Sequence, residues 1–381
     1  MSTALHLYRF PYEQPKSPAP FTKGEYRILY TAVDQMGTRM PGNNKSNGPT
    51  GTRRLVAPEL LPMLDFLPSI DFNEQVLGAI RAGMGGVDAP QRPPLSPEQQ
   101  AVACEQRFIP GPPGAPDVRV LVYTPPGPPK KAGAPTMRPA YLHIHGGGYV
   151  LGNPEINDGS NRSIAYELDC VVVSVDYRLA PETRFPGALE DCYAVLTWLA
   201  AQAGQLGVDL SRIAIGGESA GGGHAAALAI LARNRGAAPI CFQLLDSPMI
   251  DDRTGSSSEA HPYCGELVWT AVSNRFGWQS LLGVEPGTPA VPPDAVPARV
   301  ADLTGLPPAL ITVGALDLFL EEDMEYARRL VRAGVPTELY VVPGAFHGFG
   351  FAGEHAPQAQ ACTRLRNDAL ARALAPRKTS D

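Results

Sequence analysis

No run of about 20 consecutive apolar residues occurs in the 381-residue chain, so no membrane-spanning helix is expected. Positive charge is short as well. Thirty-two lysines and arginines against 38 aspartates and glutamates leave a formal net charge of -6, which argues against a nucleic-acid partner. The basic pairs Arg53-Arg54 and Lys130-Lys131 read as solvated loop charges. Cysteine is sparse: Cys104, Cys170, Cys192, Cys241, Cys264 and Cys362 show no C-x-x-C spacing, and Cys170 and Cys241 lie in apolar, strand-like runs. All six are therefore expected as reduced packing residues rather than as a disulfide framework or metal ligands. The first ten residues lack the apolar centre of a secretory leader, so the expected location is cytoplasmic. What remains is an ordinary globular composition, 44% apolar, long enough for one large domain with an elaboration or for two modest ones.

Along the chain the pattern changes near residue 100. Residues 1–51 are polar and irregular, with scattered Pro, Gly and Asn. Apolar residues at three-to-four spacing then predict helices over Ala57–Phe66 and Phe72–Arg81, and Gly83–Pro97 is a Gly/Pro-rich break. From Cys104 onward strands dominate. Glu105–Ile109 and Val118–Tyr123 flank Gly111-Pro112-Pro113-Gly114 and read as an antiparallel pair. Pro125–Pro139 reads as an exposed proline-rich loop. Short apolar runs follow at Ala140–Ile144, Val171–Val175, Ile213–Ile215, Ile240–Leu245, Ala309–Val313 and Glu338–Val342. Helical segments at Asn161–Leu168, Ala188–Gln205, Ala220–Arg235 and Glu321–Ala333 lie between most of them, and a last helix, Ala356–Ala375, covers one face. Continuous apolar strands alternating with helices predict an α/β fold around a mostly parallel sheet buried on both faces. Between Pro248 and Leu303 no strand is expected, only loop and a short helix near Glu266–Phe276. Such an insertion pairs naturally with the N-terminal helices as a cap, the plainer alternative being a surface excursion. The expected divisions are 1–100 and 248–303 for the cap, and 101–247 with 304–381 for the main domain.

Four strand ends carry chemistry. Gly217-Glu218-Ser219-Ala220-Gly221 sits between a strand and a helix, where a G-x-S-x-G turn lifts a serine hydroxyl clear of a sheet and leaves the Ala220 amide unpaired at a helix start. Alone, it could equally be a plain glycine-rich helix start. Upstream, Ala140–Ile144 ends in His145-Gly146-Gly147-Gly148, whose amides at 146 and 147 complete an oxyanion-binding set with Ala220. A phosphate loop is disfavoured, because no P-loop lysine or G-x-G-x-x-G follows. His145 itself is expected to brace the loop. Downstream, Asp317 follows Ala309–Gly314 at a strand's carboxyl end, while Glu321-Glu322-Asp323 are read as acids favoured by the next helix's dipole. The last strand runs into Phe346-His347-Gly348-Phe349. Among the other histidines, His224 is expected to be packed in a helix, His143 in a strand, His355 at a helix start, and His6 and His261 in the presumed cap or loops. The order Ser219, Asp317, His347 matches a nucleophile, an orienting acid and a base.

Together, His145–Gly148, Asp176-Tyr-Arg-Leu-Ala-Pro-Glu182, Gly217–Gly221, Asp317 and Phe346–Phe349 resemble the hormone-sensitive-lipase-like branch of the α/β-hydrolases, the bacterial family IV esterases. The likeness covers residues 104–375. It implies an eight-stranded α/β-hydrolase sheet flanked by helices, a two-part helical cap, and esterase activity on short- to medium-chain acyl esters through an acyl-enzyme. Residues 176–182 would brace the active-site loops. Glu218 departs from the Asp that many members carry there, which implies tuning of the pocket. Neither metal nor organic cofactor is needed; the partner is a small-molecule ester, and a homodimer stays open. Tyr149, Leu316, Phe319, Phe346 and Phe349 are candidate pocket walls, with core packing an equal alternative for each. Two rival functions remain: a receptor that binds without turnover, as in plant hormone receptors that resemble this branch but replace the histidine, and an amidase or lactonase using the same triad.

Overall fold

Helix α1 (Glu74–Met84) precedes a single sheet whose central strands are largely β-branched or apolar: β1 (Ala103–Ile109), β2 (Val118–Thr124), β3 (Arg138–Ile144), β4 (Val171–Asp176), β5 (Val208–Glu218), β6 (Phe242–Asp246), β7 (Ala309–Gly314) and β8 (Thr337–Val342). The computed structural model describes residues 51–376 apart from 66, 85–93, 129–136, 237–238 and 257–259. The expectations for residues 1–50 including His6, for Lys130-Lys131, and for much of the breaks at 83–97 and 125–139 lie outside the described residues.

The strand order is β1-β2-β4-β3-β5-β6-β7-β8. Only β2 runs against the others, pairing antiparallel with β1 and β4, while the remaining neighbours are parallel. Alternation along each strand sends side chains to opposite faces. Leu142, Val173, Ile215, Leu245 and Ile311 face one cluster with α3 (Gly187–Ala201), α4 (Ala220–Arg235) and α6 (Leu320–Arg332). Tyr141, Val172, Ala214, Leu244 and Leu310 face another with α2 (Asp158–Leu168) and α7 (Pro357–Ala373). Each fully buried aliphatic chain contributes roughly 1.5–3 kcal/mol, so a sheet covered on both faces holds most of the stabilising area. Helix α4 is buried nearly all round, because its alanines let it lie close against the strands.

The crossover from β3 through α2 to β4 runs on one face; that from β4 through α3 to β5 runs on the other. The crevice between β3 and β5 is therefore the sheet's switch point, where two strand-end loops diverge and a ligand can enter.

Above those strand ends lies a second apolar cluster. Ile70, Phe72, Leu77 and Ile80 from before the sheet meet Trp269, Trp278, Leu281 and Val291 from residues 248–303, together with Tyr149, Ala220 and Phe319. The insertion contains no strand among the described residues; its helix is α5 (Ala271–Leu282). That helix starts later than the spacing predicts because Thr270 caps it, accepting from Ser273 N. The first N-terminal piece also differs from expectation. Residues Pro58–Asp65 form a 3-10 helix with Pro62 inside, since proline has no N–H to continue an α-helical ladder. Three of the cysteines are buried, whereas Cys104 is exposed on edge strand β1, so the expectation of packing fails there. No described helix is long and apolar enough to cross a membrane.

A single buried carboxylate closes the insertion on itself. Asp252, fully buried, accepts from Arg299 Nε at 2.6 Å and Nη2 at 2.8 Å and from Gly287 N at 2.6 Å. Asp252→Ala strips a guanidinium of its counter-charge in a site with little water, and should lower unfolding free energy by about 3 kcal/mol. Equilibrium denaturation checks this; an unchanged midpoint would mean that the ion pair contributes nothing net.

Candidate active site

Ser219 has φ 55° and ψ -121°, a conformation disfavoured for a side chain with a Cβ. The turn survives because the chain is held on both sides of it. Ser219 N–H donates to Asp246 O at 2.9 Å, and Ser219 O accepts from Gly223 N and Met249 N. The approach of the turn to β3 demands glycine. A Cβ at Gly217 would lie 2.1 Å from Ile144 O, and one at Gly221 would lie 2.0 Å from the same atom, well inside contact distance.

Asp317 and His347 arrive from the ends of β7 and β8. His347 Nε2 lies 3.0 Å from Ser219 Oγ, and His347 Nδ1 lies 2.8 Å from Asp317 Oδ2. With its proton on Nδ1, the ring donates to the carboxylate and accepts from the serine hydroxyl. Asp317 is fully buried, and its other oxygen accepts from Phe319 N at 3.1 Å. Phe319 packs edge-on against the imidazole with ring centroids 5.1 Å apart. The three groups predicted from separate strand ends thus share one site.

The loop 145–148 lies beside them. Gly146 sits so close to the turn that a Cβ there would be 3.4 Å from Ser219 Cβ. The amides of Gly146, Gly147 and Ala220 find no backbone acceptor among the described residues. Gly147, at φ 127°, holds a backbone shape that a larger residue resists.

With this geometry in place, comparison with known proteins decides the family. Residues 141–351 match the family model described as alpha/beta hydrolase fold. The chain is 37% identical over 303 residues to Esterase LipI of Mycobacterium tuberculosis, covering 78% of this chain and 89% of that protein. It is 34% identical to Carboxylesterase NlhH of the same organism, covering 86% and 98%. Among solved structures, a bacterial heroin esterase superposes with a TM-score of 0.75 at 36% identity, over 85% of this chain and all of that one. The chain belongs to the α/β-hydrolase family. It is a carboxylic ester hydrolase of the hormone-sensitive-lipase-like branch.

In this esterase, residues 176–182 brace the site as the resemblance implies. Asp176 accepts from Arg119 Nε at 2.6 Å, Tyr177 Oη donates to His145 O at 2.8 Å, Arg178 clasps Asp191, and Glu182 accepts from Arg81 at 2.7 Å. Arg81, on α1, also donates to Val150 O and Ala180 O, tying the N-terminal helix to the glycine loop. His145 is buried, stacked on Tyr177 at 4.3 Å, with Nδ1 against Gly146 O. It braces the loop and takes no place beside the serine.

Glu218 anchors the underside of the turn. It is the register partner of Asp246 on β6, so two carboxylates lie side by side. Arg366 of α7 sits between them and pairs with both, and His143 Nε2 meets Glu218 at 3.0 Å. Burial opposes ionisation of Glu218, but His143 and Arg366 more than offset it and hold the carboxyl down at about 2.

Other expected walls divide. Phe319 packs against the imidazole; Leu316, Phe346 and Phe349 pack in a cluster with Leu60 and Met63. Tyr149 donates its hydroxyl to Met249 O and packs against His224 and Trp278. The three acids after Asp317 do stand in the first turn of α6, as expected, but two of them are also buried. Glu322 and Asp323 are buried, and Glu322 accepts from Ile250 N at 2.7 Å and Asp251 N at 3.3 Å. Both are internal groups at the helix start, and burial pushes both carboxyls well above the usual range. Sequence reasoning missed Trp269, whose ring lies 6.3 Å from that of His347. It stands in an insertion without periodicity, where an aromatic residue has no positional signal.

Two buried histidines set an acid limit. Burial lowers His145 to about 4 and His224 to about 3, with His145 adding to the effect on His224. The unfolded chain binds these protons near pH 6.5, whereas the native state refuses them until far lower pH. Their contribution is therefore intact above pH 6.5 and is lost as the medium acidifies below it. His224→Phe keeps the aromatic packing and removes one such group. Its Tm should fall less steeply than wild type between pH 7 and 5, as scanning calorimetry would show; parallel curves would refute the assignment.

Proposed function

We propose that this esterase cleaves short- to medium-chain acyl esters by two-step acyl transfer through Ser219, His347 and Asp317. The reading is carried by one observation: the His347 imidazole bridges the Ser219 hydroxyl and the Asp317 carboxylate at hydrogen-bond distance on both sides. His347 Nε2 takes the hydroxyl proton as Ser219 Oγ attacks the ester carbonyl. Asp317 keeps the ring in the required tautomer and stabilises the imidazolium. The carbonyl oxygen becomes anionic against the amides of Gly146, Gly147 and Ala220, each donor stabilising it by roughly 2.7–4 kcal/mol. Collapse expels the alcohol, which takes its proton from His347. A water then gives its proton to the same nitrogen as its oxygen bonds to the acyl carbon; the bond to Ser219 Oγ breaks, Oγ takes the proton back from His347, and the acid leaves.

Residues 1–100 and 248–303 act as the cap, and 101–247 with 304–381 as the catalytic domain. The shared apolar cluster over the strand ends supports that division. A cap built from two chain segments shields the oxyanion from bulk water and shapes access to it.

Ser219→Ala should lower kcat for p-nitrophenyl butyrate by on the order of 10⁶-fold, and Asp317→Asn by on the order of 10⁴-fold. Both should leave the circular-dichroism spectrum unchanged. A fluorophosphonate should label the wild type and not Ser219→Ala. Wild type that resists labelling and turns over no ester would instead support binding without catalysis.

A further inference from the structure

Trp269 belongs to the apolar cluster over the strand ends and also reaches the glycine loop. A Cβ at Gly148 would lie 2.3 Å from Trp269 Cη2 and 2.9 Å from Cζ2, so the indole rests directly on the backbone of the glycine loop. Its other side approaches His347, with ring centroids 6.3 Å apart at 42°. Phe72 backs it at 5.6 Å, and Nε1 donates to Asn274 Oδ1 at 3.3 Å. The ring therefore links the backbone of Gly148 to the imidazole of His347.

The backbone that puts it there is strained. Val268 has φ 63°, and Trp269 N–H donates to Leu267 O at 2.8 Å. That is a three-residue turn with a β-branched residue at a positive φ, a rare and costly conformation. Strain of this kind persists where the surroundings fix it, and here they do. Ser69 Oγ accepts from Val268 N at 2.9 Å and donates to Glu266 O at 2.8 Å. Alongside, Thr270 Oγ1 donates to Asp71 Oδ1, and Ser273 Oγ bridges Ile70 O and Phe72 N. The N-terminal segment thus clamps the turn that presents the indole.

We propose that Trp269 is a specificity-determining residue that limits substrate length on its side of the scissile bond, and that Ser69 positions it. The preferred substrates are esters carrying a short chain on that side. This inference rests on the Ser219 reading above, and its test separates the two.

Wild type, Trp269→Ala, Trp269→Leu and Ser69→Ala are assayed against two series in the full-length protein. One is p-nitrophenyl acetate to octanoate; the other is acetate esters of methanol to hexanol. Trp269→Ala should raise the kcat/KM ratio of longest to shortest ester by about tenfold or more in one series, the scale expected when a few methylenes gain room. The series that moves identifies the side that Trp269 faces. Ser69→Ala should shift the same series in the same direction by less, and Trp269→Leu supplies the readout if the alanine variant does not fold. Ratios within about twofold of wild type in both series, even with a lowered Tm, would overturn the proposal by leaving the indole a packing role only. Fluorophosphonate labelling of every variant reports on Ser219 independently, so loss of labelling in wild type would discredit the nucleophile and not the wall.

Discussion

The closeness of two backbones at the switch point sets the terms for everything else in this esterase. The turn at Ser219 can lie against the end of β3 only because Gly217 and Gly221 present no side chain to Ile144 O. That contact brings the loop 145–148 beside the serine and aims both sets of amides at one volume. Residues larger than glycine would separate nucleophile and oxyanion donors by the width of a methyl group. Transition-state stabilisation does not tolerate a displacement of that size.

Given that contact, the other two residues of the proposed triad reach the site by topology. Strands β5, β6, β7 and β8 are successive and parallel, so their carboxyl ends form a row. Asp317 and His347 need only short loops to arrive. The electrostatics beneath are harder to satisfy. Glu218 and Asp246 are neighbours across a strand pair, and their repulsion would pry β5 from β6 were Arg366 not between them. The helix packed on one face of the sheet thereby steadies the turn whose serine opens onto the crevice.

The fold and the meeting of Ser219, Asp317 and His347 were legible because their signals are local and repeated. Strands buried on both faces read as apolar runs, and each reactive residue follows such a run at once, with glycines marking the bends. The signals fail where burial is decided by distant partners. Glu322 and Asp323 look like ordinary acids at a helix start; only the docking of residues 250 and 251 against Glu322 makes that group internal. Pro62 turned an expected α-helix into a 3-10 helix because spacing reports which face is apolar, not which ladder forms. Trp269 was invisible for another reason. Its place depends on a turn held by Ser69, 199 residues away from Val268 in the chain, and no pattern within the insertion encodes that partner.

The same separation has a bearing on how the enzyme is made. Ser219 leads His347 by 128 residues, and the guanidinium that calms the carboxylates under it comes later still, at Arg366. During synthesis Ser219 thus emerges well before His347 and Arg366. Until then it is an unactivated alcohol. On the proposed mechanism the hydroxyl gains its base only once the residues after β8 have docked, so a chain that stops before His347 would lack hydrolase activity.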